Sequence, residues 1–302
     1  MTKKFTIIGN CQSKAILDFL LSNDNFSGQY NYINVDDIYR INEDDINNLY
    51  NNILPILDLI IIQPISDNYK NNYKYSTKSI LSTVKKECIK ILFPSLYFDM
   101  YHPFMCYVYD KDKPSWKLDK PFDYHDKNII KQFIENKNIT DINFFVNEYL
   151  KIQNDENILS NETLDESLKK NINNLTERES KYKNYCTEDT YIIMSSDFIL
   201  NNYMKELLFY SINHPTKYLF RYISDRIFII LNIFLIKYKD DIDPLKSLIM
   251  PLYKCIQKKV NFNVNNYFHF QHFENKIDNY DIINKYHDSY KNININLLYL
   301  SF

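Results

Sequence analysis

An α/β fold is what this sequence predicts: a parallel sheet with flanking helices, joined to a largely helical C-terminal half. Three observations carry it. The short runs "KFTIIG", "LDLIIIQ" and "CIKILFP" are rich in Ile and stop at or beside a glycine or a proline. Segments with helical apolar spacing alternate with them. From about residue 125 the short runs give way to longer helical stripes.

The elements follow in order. Residues 4–9 read as a buried strand, and 12–22 as a helix with Ala15, Ile16, Phe19 and Leu20 on one side. Residues 57–63 form the second strand, closed by Pro64, and 88–93 the third, closed by Pro94. Between them "STKSILSTVKK" is a helix with Ser76 as N-cap. Strands in this order build a parallel sheet, with ligands expected at the carboxyl ends: Gly9-Asn10-Cys11, Gln63-Pro64 and Phe93-Pro94-Ser95. Asp126 then caps a helix with Ile129, Ile130, Phe133 and Ile134. Leu164, Leu168, Ile172 and Leu175 mark a polar helix with one apolar stripe. Ile199, Leu200, Tyr203, Met204, Leu207 and Leu208 predict a helix that ends near "SINHPT", where Pro215 disfavours helix at His214. Thr216 opens a buried helix through Leu235, and Asp243-Pro244 fit the start of one more. This divides the chain into an α/β core at 1–125, a helical half at 126–260 that packs on it and supplies His214, and an unassigned extension at 261–302.

Composition narrows the function classes. Of 302 residues, 45% are hydrophobic and 25% charged, and the net charge is −2, so no basic surface points to nucleic acid. The most apolar segment carries Arg221, Asp225 and Arg226, and its uncharged remainder is too short to span a bilayer. Five widely spaced cysteines without a CxxC pair exclude a disulfide framework and a zinc knuckle, and favour a reducing, cytoplasmic compartment. No GxGxxG or P-loop is present.

Gly9 is one of only 2 glycines. A chain so poor in glycine keeps one where the backbone requires it, here at a sharp strand-to-helix turn. That puts Cys11 under the N-terminal amides of a helix, which lower a thiol's pKa and stabilise an oxyanion. The alternative is a small apolar cysteine at a strand end, but polar Asn10 and Gln12 flank it. His214 is the candidate base, and a helix-capping histidine is its bland alternative. His102 and His125 compete with it as bases. His269 and His272 have helical spacing but no carboxylate partner for a metal site, so they read as surface residues. Arg178, Lys217 and Arg221 are the cations available to phosphate, although Arg178-Glu179 also fits a salt-bridged helix face.

In this order, "IIGNCQSKAILDFL", "IIIQPISDNY", "FPSLYFDMYHPF", "FDYHDKNII", "LTERES" and "INHPTKYLF" resemble the WcbI-like polysaccharide biosynthesis proteins over about residues 4–235. Those are bacterial capsule-biosynthesis proteins that bind coenzyme A and are proposed to be acyltransferases. The two anchors "GNCQ" and "NHPT" also resemble a remote SGNH hydrolase pattern, on an SGNH- or flavodoxin-like core. Cys11 stands in place of its serine, Asn10 of its aspartate and His214 of its histidine, while Ser211 occupies the place of the late acid. The resemblance implies an acyltransferase acting on a surface sugar, with coenzyme A or acetyl-CoA as donor and a glycan as acceptor. The alternatives are an SGNH-like esterase and a non-catalytic CoA- or glycan-binding assembly protein. Cys11, His214, Gln12 and Asn10 would be catalytic. The amides at Cys11 and Gln12, with Gln63 or Asn68, would hold the oxyanion. Gly9, Gln63, Asn68, Tyr69, His102, His125, Arg178, Lys217 and Arg221 would meet the cofactor.

Overall fold

A computed structural model of the chain describes residues 2–109, 117–118, 123–238, 242–262, 270–272, 275–291 and 298–300. The first half runs β1 (Lys3–Ile8), α1 (Cys11–Leu21), α2 (Asp24–Ser27), β2 (Tyr30–Tyr32), α3 (Glu43–Asn48), β3 (Leu59–Ile62), α4 (Thr77–Thr83) and β4 (Ile89–Leu92). There follow β5 (Met105–Tyr109), β6 (Lys117–Leu118), β7 (His125–Asp126), α5 (Lys127–Glu135), α6 (Ile142–Gln153) and α7 (Asn161–Ser180). The chain continues through β8 (Tyr191–Ile192), α8 (Ser196–Asn202), β9 (Phe209–Ser211), β10 (His214–Pro215) and α9 (Lys217–Ile230). The last described elements are β11 (Leu248–Ile249), α10 (Lys254–Lys259), β12 (Gln271–His272), β13 (Asn275–Lys276), α11 (Asn279–Lys291) and β14 (Leu298–Leu300).

Two compact units share these elements, and each is assembled from separate stretches of sequence. The first comprises 1–97, 172–202 and 214–245, the second 98–171, 203–213 and 246–302. The sequential division at 125 and 260 therefore cuts through the second unit.

The first unit holds a five-stranded parallel sheet in the order β2-β1-β3-β4-β8. The three strands read from sequence form its centre. Their side chains alternate between two buried faces. Ile8, Ile60, Ile62 and Leu92 join Ile46, Leu49, Ile80 and Leu81 in one cluster. Phe5, Ile7, Leu59, Ile61 and Ile91 alternate with them and are equally buried, and Phe5 meets Phe26 edge to face at 5.0 Å. The chain leaves β1 for β2 on one side and returns to β3 on the other. This reversal makes the carboxyl ends of β1 and β3 the crevice where such sheets take ligands.

Several helices start as their sequence dictates. Ser76 Oγ accepts from Ser79 N–H at 3.1 Å, and Asp126 Oδ1 accepts from Asn128 N–H at 2.8 Å. Others differ. The apolar run 203–211 leaves the helix after Asn202, and Phe209–Ser211 is a buried strand. A continuous apolar run fits either structure, and burial on both sides favours the strand. α9 stops at Ile230, close to Asn232 with φ 55°, a conformation that ends helices. Beyond it Phe234 and Leu235 are exposed, so the expected buried helix to 235 is shorter. Asp243-Pro244 lead into a turn before β11 instead of a helix. Among the described residues no helix is long and apolar enough to cross a membrane.

In the second unit β5 pairs antiparallel with β14, β6 and β7. Helices α5, α6 and α11 pack together, with Phe133 and Phe145 ring centres 4.3 Å apart. Asp126 is the N-cap read from sequence, and it is buried. Its Oδ2 accepts from Tyr253 Oη at 2.7 Å. Burial outweighs this bond, the two capping amides and Lys127, and pushes the carboxyl up from 3.8 to about 6. Tyr149, Tyr253, Tyr286 and Cys106 also face its charge. The folded state therefore holds this proton more tightly than the unfolded chain does. The contribution of this group to stability is fully present below about pH 4 and is lost as pH rises through about 6, by about 3 kcal/mol in all. Asp126→Asn should remove this dependence. The difference in unfolding free energy between wild type and variant, measured in urea across that range, should change by this amount. A constant difference would refute the assignment.

Candidate active site at the carboxyl edge of the first unit's sheet

The site begins with a glycine that has little room. A Cβ on Gly9 would lie 2.4 Å from Ser13 Oγ and 2.5 Å from Gln63 Oε1. Its φ is not left-handed. Glycine is thus required by the close approach of Gln63, and the expected need for a special turn conformation is corrected.

Gln63 is 3% exposed and Gln12 fully buried. Gln63 Oε1 accepts from Asn10 N–H at 2.8 Å, and Gln63 Nε2 donates to Gln12 Oε1 at 3.0 Å and to Pro94 O at 3.4 Å. Gln12 Nε2 donates to Leu96 O at 2.9 Å, while its Oε1 also accepts from Leu96 N–H at 3.1 Å. Two side-chain amides thus tie together the loops after β1, β3 and β4. Cys11, Gln63 and Ser95 were expected at one edge of the sheet, and these bonds hold their segments there.

The same bonds remove two expected roles. Both Nε2 hydrogens of Gln63 are engaged, and the Gln12 backbone N–H donates to Asn10 Oδ1 at 3.0 Å. Neither group is available as the direct oxyanion donor read from sequence. Asn10 caps α1, and Gln12 and Gln63 are framework. Asn68 is exposed and Tyr69 half-buried, in the loop that follows β3.

Cys11 is the first residue of α1, partly exposed and not in a disulfide. α1 packs on α9. Phe19 stacks on Phe220 at 6.1 Å, Phe26 lies 5.9 Å from Phe228, and Asn23 Nδ2 donates to Phe234 O at 2.9 Å. These contacts join two helices, α1 and α9, together with the short segments that follow them. Cys11 opens the first. His214, partly exposed, stands just ahead of the second. Lys217 and Arg221 lie one turn apart at that end of α9, with Arg221 over the Tyr238 ring at 5.8 Å. Arg178 donates to Tyr97 O at 3.4 Å and lies over the Tyr97 ring at 5.6 Å.

Glu179 is not part of a salt-bridged face. It is buried, and it accepts from the backbone N–H and the hydroxyl of both Ser195 and Ser196, at 2.5–3.1 Å. It thereby caps the start of α8.

His102 and His125 belong to the interior of the second unit. His102 is 4% exposed, and burial pushes its ring down to about 3, which keeps it neutral. His125 is fully buried with Nδ1 2.6 Å from Tyr290 Oη. Burial makes both poor candidates for the cofactor contacts expected of them. His269 and the side chain of His272 lie outside the described residues. No cluster of metal-binding side chains occurs among the described residues. Sequence reading passed over Asp37, Tyr39 and Arg40, which lie in an unpatterned loop. Only the bond from Ile38 N–H to Gly9 O, 2.9 Å, reveals their place.

Fold and site together define a doubly wound α/β protein with a thiol at a helix N-terminus, at the carboxyl edge of its parallel sheet. The chain belongs to the WcbI family of polysaccharide biosynthesis enzymes, whose model matches residues 4–233. No curated protein matches it in sequence. It is similar to a solved structure of WcbI, with TM-score 0.76 and 22% identity over 97% of this chain and 96% of that one. That structure is described as a novel polysaccharide biosynthesis enzyme, in its native form without a disulfide bond between coenzyme A and one of its cysteines. At this identity the likeness is one of fold.

Proposed function

We propose that the protein is an acyltransferase that moves an acyl group, with acetyl the first choice, from coenzyme A to a sugar of a capsular or surface polysaccharide. One observation carries the reading: Cys11, partly exposed, opens α1 at the carboxyl edge of the parallel sheet, and α1 packs on α9, the helix that His214 precedes. Membership in a polysaccharide biosynthesis family supports the acceptor class, and the coenzyme A named with the similar WcbI structure supports the donor.

His214 takes the proton of Cys11, whose sulfur attacks the thioester carbonyl of the donor. The C–S bond to the donor breaks, and its thiolate leaves with the proton from His214. The acyl group now rests on Cys11. A sugar hydroxyl attacks it, gives its proton to His214 and releases the Cys11 sulfur, which the imidazolium reprotonates. The N-terminal dipole of α1 favours negative charge at Cys11. Lys217, Arg221 and Arg178 are the cations that would meet the donor's phosphates, and Asn68 and Tyr69 would line the approach from β3. The reading places the reaction in the cytoplasm, where the donor thioester is made.

The test mixes purified protein with acetyl-CoA and follows free thiol. Release only in the presence of a sugar acceptor is expected. Turnover of a simple ester without coenzyme A would replace the reading with a hydrolase. Tight coenzyme A binding without turnover would replace it with a binding protein.

A further inference from the structure

The loop between β2 and α3 runs along this site, and its side chains have no part in the scheme above. Ile38 N–H donates to Gly9 O at 2.9 Å, which fixes one side of the loop. Lys70 fixes another, where Nζ donates to Ile41 O at 2.6 Å and to Tyr39 O at 3.2 Å. Lys70 has φ 51°, a left-handed conformation strained for a lysine, and Asn71 follows at 54°, a region asparagine tolerates. The lysine also lies over the Tyr75 ring at 5.1 Å.

Held this way, the loop presents three side chains as one group. Tyr39 Oη donates to Asp37 Oδ2 at 2.9 Å. Arg40 Nε is 3.8 Å from the same oxygen, and its guanidinium lies 5.4 Å from the Tyr39 ring centre. Tyr39 is nonetheless 48% exposed. Asp37 Oδ1 accepts no hydrogen bond from the described residues. Burial first, then Asp37, pushes the phenol up to about 12, which keeps the hydroxyl neutral at physiological pH.

We propose that Asp37 and Tyr39 form the sugar-acceptor subsite beside Cys11, with Arg40 and Lys70 holding them in position. A pyranose presents two things this pair accepts: a face of C–H groups for an aromatic ring, and vicinal hydroxyls that donate to a carboxylate. The carboxylate disfavours a phosphate group here, so the loop takes the sugar and leaves the donor's phosphates to the cations of α9. The proposal rests on the reading that the acceptor is a sugar, and it adds where the sugar sits.

The test is saturation-transfer NMR on the whole protein with the methyl glycosides of glucose, mannose and galactose. In parallel, the thermal shift with coenzyme A is measured. Wild type should transfer saturation to at least one glycoside. Tyr39→Ala should abolish the signal and Asp37→Asn should weaken binding at least about fivefold. Both variants should keep the coenzyme A shift, which also shows that they fold. No transfer in wild type, or undiminished transfer in Tyr39→Ala, overturns the proposal, as does loss of both signals together. Glycoside binding through Tyr39 without any coenzyme A shift would keep the subsite and remove coenzyme A as donor.

Discussion

Gly9→Ala is expected to destabilise the protein by about 2–5 kcal/mol, and Gly9→Val by more. The added Cβ meets Ser13 Oγ at 2.4 Å and Gln63 Oε1 at 2.5 Å. Ser13 can turn away, because its hydroxyl has no hydrogen-bond partner to lose among the described residues. Gln63 cannot, because it is bonded at once to Asn10, Gln12 and Pro94. Moving it leaves buried amide groups unsatisfied, and these bonds align three loops. Urea unfolding of Gly9→Ala, Gln63→Ala and the double variant measures the effect. Removing the Gln63 side chain opens the space, so the alanine at position 9 should cost less in that background. An equal cost in both backgrounds would show that the glycine serves something other than this contact. Activity should fall with stability, since Asn10 and Cys11 follow directly on the displaced residue.

Cys11→Ala should reduce acyl transfer by at least about a thousandfold, while stability changes by about 1 kcal/mol or less. The side chain is small and partly exposed, so little packing is lost. His214→Ala should slow the chemical step by about 10²–10⁴-fold and leave coenzyme A affinity unchanged. Single-turnover kinetics with acetyl-CoA separates these effects. The variants also differ in covalent chemistry. After quenching with acid, intact mass spectrometry of wild type should show the acyl adduct, and Cys11→Ala none. Alkylation of Cys11 by iodoacetamide should proceed faster in wild type than in His214→Ala at neutral pH, as a base beside the thiol requires. Full turnover by Cys11→Ala would end the covalent scheme. An unaltered alkylation rate in His214→Ala would remove the histidine from its role as base.

The sequence by itself determined the centre of the sheet. β1, β3 and β4 are continuous Ile-rich runs because both their faces are covered, and burial on both faces leaves no room for polar alternation. It also determined the caps at Ser76 and Asp126, whose hydrogen bonds reach only two or three residues along the chain, and the thiol at the strand-to-helix junction. The edge strands β2 and β8 were not legible, being two or three residues long and partly solvated, with Tyr191 53% exposed. The register of 203–211 was equally open, since an apolar run suits helix and strand alike. Only the tertiary structure decided what Gly9, Gln12 and Gln63 are for. Gln12 meets Gln63 and Leu96, which are 51 and 84 residues away. Such pairings follow from which strands become neighbours, and local propensity carries no trace of them. The same holds for the loop of Asp37 and Tyr39. Its composition is that of any solvated turn, and its place beside Cys11 depends on one backbone bond to Gly9 and on a lysine thirty residues further along the chain.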